Sequence, residues 1–230
     1  MSEPSPAPES DAALARRAQI LATEHWGLLA ARSTAQSEVL TRITIFLTLV
    51  SAGLLTIGLL GQASDFSGWF TPAMLAILGF LCFVGFVTAV RVMNVGEEDM
   101  MYVVAMNRLR GAYVELDPGI EQYFLASTSD DRTGMERTYS FLRTRGASHL
   151  LGSSSLLLFV VDGCVFGLFA GAIVVAAGGA FGWAITAGVL VGLSLVVGFG
   201  WYSNSGFIST WRRYVPRRPT PPGPPPFLKS

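Results

Sequence analysis

Charge is what this chain has least of. Only 14% of its 230 residues are Asp, Glu, Lys or Arg, and long stretches contain none. There are 22 uncharged residues between Arg42 and Asp65 and 25 between Asp65 and Arg91, while Asp162 is the single formal charge in the 62 residues from Leu150 to Trp211. A soluble core would not look like this, because its elements carry polar residues at amphipathic spacing. Cysteine and histidine are also scarce: Cys82, Cys164, His25 and His149 are the full set. Both cysteines fall inside apolar runs, which argues against a structural disulfide and leaves a zinc site without ligands. Neither histidine has a Ser, Cys or acidic partner at a spacing that suits catalysis. The chain has no phosphate loop, dinucleotide fingerprint or nucleophile elbow. It therefore reads as non-enzymatic, with no cofactor and no metal.

What is present is apolar material gathered in runs, with a mean hydropathy of +0.48. A hydrocarbon layer of about 30 Å needs about 20 helical residues, so 43–64 and 66–90 each suffice for one crossing. The long third run suits two crossings, 150–177 and 181–202, with Gly178-Gly179-Ala180 as the turn. The runs are uniformly apolar, which favours helices over the alternating strands of a barrel. The predicted fold is an all-α membrane protein with four transmembrane helices in two hairpins. An amphipathic N-terminal helix and a small helical cytoplasmic layer complete it.

Orientation follows from the basic residues. All sixteen lie in residues 1–42, 91–149 and the tail, and none lies in the connections at Asp65 or Gly178. The positive-inside rule then places both termini in the cytoplasm of a multi-pass cell-membrane protein. Trp69, Phe70, Trp183, Trp201 and Tyr202 stand where interfacial aromatics belong. No cleavable leader is evident in the polar first 42 residues.

Between the spans the chain is helical in outline. Residues 1–10 are of a composition that stays disordered. Ser10 caps a helix over 11–42, with Leu14, Ala18, Leu21, His25 and Leu28 on one face. In 91–149, Gly96 is expected to end one helix and Glu97-Glu98-Asp99 to start the next, with Tyr102, Met106, Leu109, Tyr113 and Leu116 as its apolar stripe. Those three acids read as a helix start and not as a metal site, since hard cations need more oxygen ligands. Asp117-Pro118 reads as a cap, and Thr133 with Glu136 as a capping box. The tail, 203–230, nets +5 and holds seven of the twelve prolines between Pro216 and Pro226. It reads as a solvated, extended spacer whose arginines set topology, with attraction to an anionic inner leaflet as the alternative, although Arg218-Pro219-Thr220-Pro221-Pro222-Gly223-Pro224 also fits a proline-rich ligand pattern. No basic stripe interleaved with aromatics points to nucleic acid.

Two membrane features stand out. Gly163, Gly167 and Gly171 form one small-residue stripe, and Ala184, Gly188 and Gly192 form another on the following span. In lipid, where apolar burial drives little, such stripes let helix backbones touch. Asp162 lies beside the first stripe and has no Lys or Arg in any span to pair with. It calls for a neutral acid, a wet cavity, or hydrogen bonds from Thr48, Ser51, Thr56, Thr88, Thr186 or Ser194.

Through Met106-Asn107-Arg108-Leu109-Arg110-Gly111-Ala112-Tyr113 and the later Asp130-Asp131, the chain resembles small bacterial membrane proteins with four spans. That resemblance implies an inner-membrane topology and no activity. The first half, an amphipathic helix leading into a two-span hairpin and a further helix, looks like the SLATT group of membrane effectors, which implies assembly into a pore. The extra hairpin departs from that pattern. Two functions are therefore expected as alternatives. One is a membrane-anchored interaction, scaffold or signalling component with a cytoplasmic protein partner or a homo-oligomer. The other is an oligomeric pore or a proton or cation pathway using Asp162.

Overall fold

The structure, a computed structural model, describes residues 10–140, 142 and 153–223. Among these every regular element is helical: α1 (Asp11–Ala63), α2 (Phe70–Leu116), the 3-10 turn η1 (Pro118–Tyr123), α3 (Arg132–Tyr139), α4 (Ser154–Ala176) and α5 (Phe181–Arg213). Helices α1, α2, α4 and α5 are long and apolar enough to cross a membrane, which makes this a multi-pass membrane protein. His149 and Leu150, together with residues 1–9 and 224–230, lie outside the described residues.

Three helices continue beyond their apolar stretches. No proline occurs between Asp11 and Ala63, so nothing in the sequence breaks α1. Pro72 sits in the first turn of α2, where its missing N–H is no loss. Gly96 does not end that helix, contrary to the sequence expectation, because an isolated glycine costs only about 1 kcal/mol against alanine. Helix α5 likewise runs on to Arg213. Ser153 caps α4 by accepting the Leu156 N–H at 3.2 Å. The α1–α2 turn takes left-handed backbone at Asp65, Phe66 and Gly68, and the α4–α5 turn does so at Gly178.

The chain divides into two compact units. The apolar unit comprises Ala35–Glu97 and Gly146–Arg212. Phe46, Leu81, Leu158 and Val165 form its innermost packing, and Phe199 stacks at tilted angles against Phe86 and Phe159. Gly53 on α1 brings that backbone against Leu81 and Ile77 of α2. Arg91 on α2 reaches Glu38 on α1 at 3.0 Å.

The polar unit comprises Met1–Thr34, Glu98–Arg145 and Arg213–Ser230. Val103, Met106, Val114 and Met135 are buried in it. The buried stripe on α2 is turned from the expected one, since Tyr102, Leu109, Tyr113 and Leu116 are only half-buried while Asn107 is fully enclosed. The reason is that Asn107 spends every polar atom. Its amide donates to Ser129 O at 3.0 Å, and its carbonyl accepts from Arg110 at 2.7 Å and Thr138 at 2.8 Å. A polar side chain so satisfied escapes the cost of burying an unpaired group.

Candidate functional site

Within the polar unit the chemistry converges on Asp130, whose side chain is fully buried. Asp131 caps α3 by accepting the Gly134 N–H at 2.7 Å, so the helix starts two residues earlier than a Thr133 capping box would have it. Gly134 has to be glycine here, because a side chain would collide with the Ser129 carbonyl. This tight loop turns the preceding carboxylate inward. Asp130 then accepts from Arg108 Nε at 2.8 Å, Tyr214 OH at 2.7 Å, and the main-chain N–H groups of Arg217 at 3.1 Å and Arg218 at 2.8 Å.

The other half of the contact is the tail. Asp130 N–H donates to the Arg218 carbonyl at 3.2 Å, so that Arg218 is held on both sides, its carbonyl by the Asp130 main chain and its N–H by the Asp130 side chain. Thr220 donates both its N–H, at 2.8 Å, and its hydroxyl, at 2.6 Å, to Asp131. The Arg218 guanidinium reaches Gly111 O at 3.2 Å and Glu121 at 3.3 Å, and Arg217 reaches Glu115 at 3.3 Å. Gly111 leaves room for this; a Cβ there would lie 2.9 Å from Thr128 O and 3.3 Å from Arg218 Cδ. The guanidinium of Arg108 also lies 5.8 Å from the centre of the Tyr214 ring. Residues 214–220 are therefore a strap, and the expected solvated spacer is corrected for that segment. Its Tyr214 hydroxyl, three of its main-chain N–H groups, both its guanidinium groups and its Thr220 hydroxyl have partners on Asp130, Asp131, Gly111, Glu115 or Glu121.

The electrostatics follow from this wiring. Burial by itself pushes the Asp130 carboxyl up, but the N–H groups of Arg218 and Arg217 with the Tyr214 and Arg108 side chains outweigh it and bring it to about 2. Burial, then the bond to Asp130, pushes the Tyr214 phenol up to about 12. A second cluster in the same unit joins Arg32 to Asp99 at 2.6 Å and Tyr139 OH to Asp99 at 2.5 Å. Asp99, read from the sequence as part of a helix start, is instead a mid-helix acid that ties α1 and α3 to α2. The Tyr139 phenol is raised well above its ordinary range by burial and then by that bond.

In the apolar unit, Asp162 is fully buried and both its oxygens lack a hydrogen-bond partner among the described residues. The hydroxyls expected to serve it are committed elsewhere. Thr48, Ser51, Thr56, Thr88 and Thr186 each donate to the carbonyl four residues back on their own helix, and Ser194 is exposed. The carboxylate sits instead against Gly85, where a Cβ would land on it and would lie 2.8 Å from the Phe46 ring. Gly85 carried no signal in the sequence, because one more glycine in an apolar run looks like any other.

The two small-residue stripes meet. A Cβ on Gly163, Gly167 or Gly171 would lie 2.9, 2.7 or 3.1 Å from the carbonyl oxygens of Gly192, Gly188 and Ala184 respectively. This contact is made within one chain. The same glycines floor an open apolar groove of about 780 Å³ walled by residues such as Leu168, Val175, Ile185 and Leu193. Comparison of the chain with protein-family models, curated proteins and solved structures gives no match.

Proposed function

We propose that this protein is a non-enzymatic, membrane-anchored interaction or scaffold component. Its four spans form two hairpins in the cytoplasmic membrane, both termini and the 91–149 segment face the cytoplasm, and that segment meets a protein partner. The observation that carries this reading is the Asp130–Asp131 seat, whose carboxylates hold a non-helical segment of polypeptide by its main-chain N–H groups, as peptide-binding surfaces do. Purification in detergent should recover a protein whose retention depends on residues 97–145. Recovery that is identical when that segment is replaced would count against the reading.

A second reading, an oligomeric proton or cation pathway, draws its support from Asp162 alone, a buried carboxylate with no hydrogen-bond donor among the described residues. The glycine groove adds nothing to a conducting role, since Asp162 is not among the residues that line it and its walls are apolar. On this reading Asp162→Asn abolishes ion flux into liposomes. Unchanged flux in a preparation that conducts would remove the residue from the role.

A further inference from the structure

We propose that the Asp130–Asp131 seat is a recognition site for an arginine-rich segment of a partner protein that bends at its arginine pair, and that residues 214–220 of this chain occupy it as a built-in competitor. The inference rests on the interaction reading and gives the partner a chemistry. The segment that fits is Tyr-x-x-Arg-Arg-x-Thr, the pattern that Tyr214, Arg217, Arg218 and Thr220 present.

Three features make the seat a receptor and not merely an internal contact. Three of its bonds go to main-chain N–H groups, those of Arg217, Arg218 and Thr220, and such bonds are available to any chain that takes the same bend, in which two successive N–H groups converge on one carboxylate. Side-chain selection is then supplied by Arg108 and Asp130 around the tyrosine, Gly111 O and Glu121 for the second arginine, and Asp131 for the threonine hydroxyl. This division, with affinity from the main chain and choice from the side chains, is that of peptide-binding grooves.

The seat is also held in shape by bonds that do not involve the strap. Asp131 is fixed by Gly134 N–H, Ser129 by Asn107, and Asp130 by Arg108. Departure of the strap leaves the acceptors in place, which lowers the cost of binding a replacement. Finally, little apolar burial locks the strap down, since Val215 is 81% exposed and Pro219 is exposed as well. It is retained by polar bonds and by its attachment to α5. Such attachment acts as an effective concentration on the order of millimolar, which a partner must overcome.

The test uses the full-length chain in detergent or nanodiscs and a fluorescent synthetic peptide of residues 212–223. Arg218→Pro removes from the strap both the N–H that Asp130 holds and the guanidinium held by Gly111 and Glu121, and so weakens its competition for the seat. The peptide should bind this variant at least about tenfold more tightly than the native chain. Adding Asp130→Asn should cancel the gain. Because that variant is itself exposed to misfolding, a peptide N-methylated at the Arg218 amide supplies the same deletion on an intact seat and should fail to bind.

Absence of binding to the Arg218→Pro chain, or equal binding of the methylated peptide, overturns the proposal. A native-chain dimer that Arg218→Pro dissociates, with no binding of free peptide, assigns the seat to a second copy and overturns it too. A partner retained equally by native and Asp130→Asn chains leaves the interaction reading standing and sinks the seat. A peptide that binds as expected while purification recovers nothing supports the seat and sinks the partner reading.

Discussion

Asp130 and Asp162 are both fully buried, and they solve the cost of burial in opposite ways. Asp130 gathers four donors; Asp162 has none among the described residues. The consequence for Asp130 is a dependence on pH. Its carboxyl lies at about 2 in the folded chain against an ordinary value of 3.8, so the stabilisation it lends is complete above about pH 4 and disappears as pH falls toward 2. The difference corresponds to about 2 kcal/mol. Hydrogen exchange at the Arg217 and Arg218 amides should stay slow, relative to the intrinsic rate, from pH 7 to about pH 4 and lose that protection below it. Protection that already fails near pH 6 would mean that some other group holds the strap. In the sequence, Asp130 was one of two adjacent acids, and nothing announced that three of its four donors lie 84 to 88 positions away.

Helices α4 and α5 owe their close approach to what they omit. At Gly167 and Gly188 each backbone occupies the space a Cβ would need, at 2.7 and 2.8 Å from the facing carbonyl oxygens. Gly167→Leu must push the pair apart, a disruption worth about 1–3 kcal/mol on overpacking grounds, whereas Leu190→Ala, at an exposed position, should change stability by less than about 0.5 kcal/mol. Thermal unfolding in detergent distinguishes the two. Equal effects would show that the contact does not bear on stability. The stripes were readable beforehand because small residues at a spacing of four are a one-dimensional pattern. Helix ends were less so. Gly96 read as a stop and Thr133 as a cap, yet the ladder continues through the first, and Asp131, two residues earlier, makes the cap bond.

For the whole molecule, the proposed orientation makes the turn at Asp65–Gly68 and the turn at Gly178 external and every arginine-bearing segment internal. Cysteine labelling of residues introduced at Ser67 and Gly179 should therefore require no permeabilisation of intact cells, whereas one introduced at Arg132 should require it. Labelling of position 132 from outside would invert the arrangement.

Membrane class and the number of apolar helices were determined by the sequence itself, because hydrocarbon thickness and the cost of bare charge act on a stretch of chain without reference to its neighbours. The tertiary structure alone decided that the tail is strapped to Asp130, that Asn107 belongs to a core, and that Asp162 rests on Gly85. Each of these depends on distant residues arriving at hydrogen-bond or van der Waals range, and composition and periodicity carry no record of that.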